Sequence, residues 1–122
     1  MVKLVILDKD VNNVKDIINN VASKNSDIKI SRIICSNKEI EEKIEDFDVM
    51  LVNTNLEIEK IINKIDEDEK LYNSILVITS SIKNIESIIE SKYIYDYIFE
   101  CTNYEEIGYK IDSLIKLIDK DN

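Results

Sequence analysis

Polar side chains follow directly after several short apolar runs of the sequence. Asp8, Lys9 and Asp10 follow the first run, and Asn53 follows the third. Carboxylate and amide oxygens are ligands that hard cations accept, and a carboxylate can also act as a nucleophile. Asp8 and Asp10 are therefore weak candidates for a metal site, although Asp10 also stands where the next helix needs an N-cap.

The same arrangement recurs later in the chain, where Thr79 follows the fourth run and Glu100 and Cys101 follow the fifth. The chain has no His, and Gly108 is its only Gly. His is the commonest metal-binding side chain and a frequent general base, and phosphate loops such as GxGxxG need several Gly residues. The composition disfavours zinc enzymes and nucleotide-binding loops, and we expect neither enzyme activity nor a cofactor.

The charge balance limits the partners. The chain has 25 acidic and 16 basic residues, a formal net charge of −9. Nucleic-acid binding depends on clustered Lys and Arg, so we expect no nucleic acid to bind. Every apolar run is shorter than the roughly 18 residues of a membrane span, and the first residues lack the layout of a signal peptide. The sequence therefore predicts a soluble, cytoplasmic protein that does not contact a membrane.

The elements that position the polar residues show two alternating periodicities. Short apolar, β-branched runs predict five strands, at residues 2–7, 28–35, 49–52, 75–78 and 94–99. A stripe at helical spacing follows each run and predicts a helix. Strands that are apolar on both faces and alternate with helices indicate a parallel sheet covered on both sides. We therefore predict a single α/β domain over 1–122, with a doubly wound five-stranded parallel sheet of order 2-1-3-4-5 and a flavodoxin-like (βα)5 architecture.

This topology makes predictions for a helix and for the cysteines. Ile40, Ile44 and Phe47 mark the short second helix, with Asn37 as its N-cap. Cys35 ends the second strand and Cys101 follows the fifth. These edge strands lie about 19 Å apart at about 4.8 Å per strand. A disulfide needs Cα atoms within about 7 Å, so both cysteines are expected to be free thiols.

Four segments of the chain resemble receiver domains of two-component response regulators. They are residues 3–10, 48–53, 75–80 and 96–101. The resemblance implies that Asp8 belongs to the acid pair after strand one and that Asn53 stands at the phosphoacceptor position. It also implies that Thr79 and Tyr97 are the pair that couples phosphorylation to the partner-binding face. The alternative is that Thr79 simply ends its strand and that Tyr97 packs half-buried.

Three positions depart from the phosphorylation site that the resemblance implies. Asn53 replaces the aspartate nucleophile, Lys9 replaces the second acid of the pair, and Glu100 replaces a lysine. A neutral amide cannot form the acyl phosphate that a carboxylate forms. Lys9 places an ammonium group where Mg²⁺ would bind, so Mg²⁺ binding is expected to be weak or absent. Because the two charge changes are opposite, we expect Lys9 and Glu100 to approach each other across the pocket.

The sequence favours a receiver-like module of two-component signal transduction that acts by protein contacts and without phosphorylation. The expected partner is a histidine kinase, an effector domain or another receiver, including a second copy bound through the fourth helix, fifth strand and fifth helix. The alternative is a conventional phosphoaccepting regulator of a phosphorelay, including one in which Asn53 is an engineered change. A flavodoxin-like cofactor binder is a third possibility, but the loop after strand one lacks the Ser, Thr and Gly residues of a flavin phosphate site.

Overall fold

The computed structural model describes residues 1–25, 27–40, 44, 46–66, 68–81, 86, 90–99 and 103–121, except for the side chains of residues 24 and 119–121. The strands in this part of the chain are β1 (Val2–Leu7), β2 (Ile28–Ile34), β3 (Val49–Asn53), β4 (Ile75–Thr79) and β5 (Ile94–Phe99). The helices are α1 (Val11–Lys24), α2 (Asn37–Ile40), α3 (Ile58–Lys64), a 3₁₀ turn (Glu69–Leu71) and the C-terminal helix (Glu105–Asp121). None of the helices in these ranges is long and apolar enough to cross a membrane.

The strands form one parallel sheet in the order β2-β1-β3-β4-β5. This order confirms the predicted fold class. Because all strands run in the same direction, their carboxyl ends lie at one edge of the sheet. Asp8 directly follows β1, Asn53 ends β3 and Thr79 ends β4, so the fold brings these polar residues to that edge.

The central strands are buried on both faces, as a parallel sheet between two layers of helices requires. In β1, Leu4 and Ile6 belong to the core beneath α1 and the C-terminal helix, whereas Val5 and Leu7 belong to the core beneath α2 and α3. This alternation follows from the two-residue period of a strand. The packed core on each side fixes the strand ends, and with them the polar residues that follow.

The second helix differs from its prediction at both ends. Its cap is Ser36, whose Oγ accepts a hydrogen bond from the Glu39 N–H at 3.4 Å, while Asn37 is the first helical residue. The Asn37 side chain instead accepts a hydrogen bond from the Glu57 N–H at 2.9 Å. At the other end, Phe47 is buried in the core but lies outside the helix. The apolar spacing correctly indicated that Ile40 and Phe47 are buried, but it wrongly placed Phe47 on the helix.

The predicted fourth helix, over 82–89, lies outside the described residues except for Glu86, which has helical backbone. The last predicted helix is present as the C-terminal helix. Its apolar stripe faces the core, with Ile107, Ile111 and Leu114 almost fully buried. This helix therefore lies beside α1 on the same face of the sheet.

Candidate functional site at the carboxyl edge of the sheet

The centre of the site is the carboxylate of Asp8, which is only 1% exposed. The Asp8 N–H donates to the carbonyl oxygen of Ile34 at 3.0 Å, which continues the pairing of β1 with β2 and holds the residue at the sheet edge. A carboxylate removed from water is strongly destabilising unless hydrogen bonds or a positive charge compensate for its lost hydration. The surroundings of Asp8 must therefore supply donors.

Four N–H donors surround the Asp8 carboxylate. The side-chain amides of Asn53 and Asn13 donate to Oδ2 at 3.1 and 3.4 Å. The side-chain amide of Asn55 donates to Oδ1 at 2.8 Å, and the backbone N–H of Asp10 donates to the same atom at 2.9 Å. Each carboxylate oxygen thus accepts two hydrogen bonds. We call the three side-chain amides of Asn13, Asn53 and Asn55 the amide cage.

The amide cage is held in one orientation from outside. The oxygen of each amide accepts a hydrogen bond from a separate donor: the Tyr104 hydroxyl to Asn13 at 2.6 Å, the Asn55 N–H to Asn53 at 3.0 Å, and the Lys9 N–H to Asn55 at 3.2 Å. Turning any amide over would replace its donor to the central carboxylate by an oxygen and would also break the outer hydrogen bond. The network therefore keeps all three NH₂ groups directed at the carboxylate.

Thr79 is connected to the cage through its neighbour Thr54. The two hydroxyl oxygens lie 3.1 Å apart, and the Thr54 N–H donates to the carbonyl oxygen of Ile78 at 2.9 Å. Thr79 is 1% exposed, and its hydroxyl oxygen also accepts from the Ser81 N–H at 3.1 Å. Because Thr54 stands between Asn53 and Asn55, the end of β4 is bonded directly to the loop that carries most of the cage.

Tyr97 lies away from this network, on the surface of β5. It pairs in register with Val77, and its side chain is 37% exposed. Phe99, two residues further along the strand, is 41% exposed. The end of β5 therefore presents two aromatic side chains to solvent on the same side of the strand.

No protein-family model and no curated protein sequence matches the chain. The response regulatory domain of protein mrkE from Klebsiella pneumoniae matches it with a TM-score of 0.81 at 13% identity, covering 97% of this chain and 98% of that chain. A CheY-like receiver domain from Methanospirillum hungatei gives a TM-score of 0.75 at 15% identity, covering 100% of this chain and 99% of that chain. The beryllofluoride-activated receiver domain of DrrB from Thermotoga maritima matches with a TM-score of 0.72 at 16% identity, covering 95% of this chain and 98% of that chain.

The chain has the fold of a response-regulator receiver domain. At identities of 13% and 15% the likeness extends to the fold alone. The chemistry available at the edge of this receiver fold therefore depends on its own residues.

Two charged residues flank Asp8 at the surface of the receiver fold. Asp10 is exposed and is the N-cap of α1, because its Oδ1 accepts from the Asn12 N–H at 2.9 Å. Lys9 is also exposed, and its backbone N–H contacts Asn55. Glu100 lies outside the described residues, so its expected approach to Lys9 remains a prediction.

The donors around Asp8 do not suit the Mg²⁺ ion that the resemblance implies. Mg²⁺ needs oxygen ligands in near-octahedral geometry. Asp8 offers two oxygens that each already accept two N–H bonds, and the nearby Asp10 carboxylate caps α1. Within the described ranges, no group of three or more His, Cys, Asp or Glu side chains is arranged to hold a metal. The residues present therefore do not fit this metal.

The sequence pattern predicted some of these contacts and missed others. Asp8 and Asn53 were expected at one edge because parallel strands end there. Asn13 and Tyr104 were not predicted as part of the site. Asn13 has one available signal, since it lies three residues after the cap Asp10 and so on the first turn of α1. The contact with Tyr104 has no such signal, because 91 residues separate the two.

Cys35 lies just beyond β2 and is a free, half-buried thiol. Burial raises the pKa of Cys35, and the nearby carboxylates of Glu39 and Asp8 raise it further. Because the thiolate is the reactive form, we expect alkylation of Cys35 in a Cys101→Ser variant to be slower than in the urea-unfolded chain at pH 8. The pH dependence should be displaced upward in the folded protein. Equal rates and equal pH profiles in the two states would contradict this expectation.

Proposed function

We propose that residues 1–122 form one receiver-like domain that serves cytoplasmic two-component signalling through protein contacts, without phosphorylation and without enzyme activity. The observation that carries the proposal is the set of four N–H donors on the Asp8 carboxylate. In this arrangement the positive ends of N–H dipoles take the positions around the carboxylate that a cation would need. The carboxylate is compensated by the chain itself.

The energetics of the amide cage support a metal-free pocket. A hydrogen bond to a charged group contributes about 1.5–3 kcal/mol, so a cation that displaced the donors from Asp8 would have to replace several such interactions. If the amides instead turned to offer their oxygens, they would break the outer hydrogen bonds to Tyr104 and to the backbone N–H groups of Lys9 and Asn55. Either route opposes Mg²⁺ binding.

The positions of the carboxylates also support the proposal. Asn53 stands at the end of β3 with an amide that cannot become an acyl phosphate. Asp48 lies at the opposite end of the same strand, where its Oδ2 accepts from the Lys3 N–H at 2.8 Å. Asp8 is buried and fully hydrogen-bonded. Among the described residues that end β1, β3 and β4 or directly follow them, the helix cap Asp10 is the one accessible carboxylate that a conventional phosphoaccepting mechanism could use.

Exposed aromatic side chains on β5 and on the C-terminal helix support a protein partner. Tyr97 and Phe99 on β5 are exposed, and Tyr109 on the C-terminal helix is 61% exposed. An ion pair between Lys110 and Asp96 joins this helix to β5. Aromatic side chains are enriched in protein interfaces. We propose that these parts of β5 and the C-terminal helix, the proposed partner surface, contact a histidine kinase, an effector domain or another receiver, including a second copy of the chain.

Intact-mass spectrometry after incubation with acetyl phosphate and Mg²⁺ tests the proposal. We expect no phosphorylated species under conditions that fully modify a conventional receiver domain included in the same reaction as a positive control. A mass increase of one phosphoryl group that is removed by hydroxylamine, as an acyl phosphate is, would overturn the proposal. Peptide mapping of the modified protein would then show which carboxylate accepts the group.

A further inference from the structure

Among the described outer donors of the amide cage, the Tyr104 hydroxyl is the one side-chain donor. The Tyr104 hydroxyl donates to Asn13 Oδ1 at 2.6 Å, and Asn13 Nδ2 donates to Asp8 Oδ2 at 3.4 Å. The outer donors of the other two amides are backbone N–H groups of neighbouring loop residues. Tyr104 instead stands immediately before the C-terminal helix, so this link joins the buried carboxylate to the start of that helix.

The apolar core alone does not fix how the first turn of this helix is oriented. Val14 and Ile17 of α1 pack in the same core as Ile107 and Ile111 of the C-terminal helix. Such contacts are non-directional and hold the two helices together at their facing sides. A hydroxyl hydrogen bond is directional. The bond from Tyr104 to Asn13 therefore adds a geometric constraint that the packing does not supply.

The two bonds of this link differ in strength. The Tyr104 to Asn13 distance of 2.6 Å is short for an O–H donor, whereas the Asn13 to Asp8 distance of 3.4 Å is the longest of the four around the carboxylate. Hydrogen bonds weaken toward the long end of their range. The bond between Asn13 and Asp8 is therefore the weaker of the two.

We propose that Asn13 and Tyr104 couple the state of the amide cage to the first turn of the C-terminal helix. Tyr104 is the positioning residue, since it holds the Asn13 amide and does not itself contact Asp8. This inference deepens the proposed function, because the helix carries part of the proposed partner surface. The path is separate from the one through Thr54 and Thr79, which leads to the end of β4.

Amide hydrogen exchange at Gly108 gives a local readout, because its buried N–H donates to the Tyr104 carbonyl oxygen at 3.4 Å. We expect Tyr104→Phe and Asn13→Ala each to accelerate exchange at Gly108 by about 2- to 10-fold, the effect of one lost hydrogen bond. The double variant should show no more acceleration than either single variant. Asp8→Asn, which weakens the acceptor at the other end, should accelerate exchange in the wild-type background but not in Tyr104→Phe.

Side-chain NMR supplies a second readout that does not depend on Asp8→Asn being folded. Tyr104→Phe should shift the side-chain amide resonances of Asn53 and Asn55, which Tyr104 does not contact in the described hydrogen-bond network. Tyr95→Phe is the matched control, a half-buried tyrosine of the same core, and should leave both the resonances and Gly108 exchange unchanged.

Additive effects of Tyr104→Phe and Asn13→Ala on amide exchange at Gly108 would overturn the coupling. Unchanged side-chain amide resonances of Asn53 and Asn55 in Tyr104→Phe would also overturn it. Phosphorylation in the mass-spectrometry experiment would overturn the proposed function and would leave these exchange and resonance results as they are. The two failures are therefore distinguishable.

Discussion

Replacement of Asp8 by Ala is expected to lower the free energy of unfolding by about 2–4 kcal/mol, since each buried donor that loses its acceptor costs about 1–3 kcal/mol. The substitution removes the acceptor of four N–H groups at once. Water can reach part of the vacated space, because Asn55 is exposed, so the donors are not all left unpaired. Urea unfolding followed by circular dichroism measures the change.

Asp16→Ala is the matched control for Asp8→Ala, because Asp16 is an exposed aspartate on α1. It should change the free energy of unfolding by less than about 0.5 kcal/mol. Formate offers a further check, since its carboxylate can enter the cage of Asp8→Ala and should restore part of the lost stability in a saturable way. A loss below about 1 kcal/mol for Asp8→Ala, with no response to formate, would contradict the role assigned to the cage.

Asn53→Asp is expected to lower the free energy of unfolding by about 2–4 kcal/mol at pH 7, through the repulsion of two neighbouring carboxylates. The Asn53 amide lies 3.1 Å from Asp8 Oδ2, so the substitution exchanges a donor for a second negative charge at contact distance. The pair should hold one proton more tightly in the folded than in the unfolded state. A raised pKa in the folded state stabilises the protonated form, so the variant should regain stability as the pH falls.

The effect of Mg²⁺ on stability shows whether Asn53→Asp is destabilised by carboxylate repulsion or by loss of packing. Two adjacent carboxylates attract Mg²⁺, so millimolar Mg²⁺ should raise the unfolding midpoint of Asn53→Asp while leaving the wild-type midpoint unchanged. Asn63→Asp makes the same change in net charge at an exposed position of α3 and is the control for general charge effects. An Asn53→Asp variant as stable as wild type at pH 7, or a wild-type protein stabilised equally by Mg²⁺, would contradict the expectation.

The fold follows from the sequence because its main signals are strong and local. The buried runs of β1, β3 and β4 are apolar on both faces, and each is followed by a helical stripe, which leaves a doubly wound parallel sheet as the consistent arrangement. The same reasoning brings Asp8, Asn53 and Thr79 to one edge. Placing these three positions needed only parallel strands, which the alternation of apolar strands with helices indicates.

The amide cage did not follow from the sequence, because it depends on side-chain directions that no periodicity records. Asparagine is frequent in this chain, so the type and spacing of Asn13 and Asn55 do not show that their amides point at Asp8. The sequence also does not identify the N-cap of α2, because Ser36 and Asn37 are adjacent and both suit an N-cap. The choice between them depends on the contact of Asn37 with the loop before α3.

The expected approach of Lys9 to Glu100 remains a prediction, because Glu100 lies outside the described residues. The described donors to Asp8 are amides and a backbone N–H, and the Lys9 side chain is not among them. An ion pair of Lys9 with Glu100 would therefore add to a carboxylate that is already hydrogen-bonded. A Lys9→Ala variant should leave the side-chain amide resonances of Asn53 and Asn55 unchanged.

An NMR titration of isotope-labelled protein with Mg²⁺ and then beryllofluoride tests most directly whether the amide cage replaces the metal and phosphoryl site. The side-chain amide resonances of Asn13, Asn53 and Asn55 report the three donors to Asp8. We expect these resonances to stay in place through millimolar Mg²⁺ and after beryllofluoride is added. Saturable shifts of the three amide resonances, some of which need both additions, would show that the pocket still binds a cation and a phosphoryl analogue. That result would contradict the proposed function.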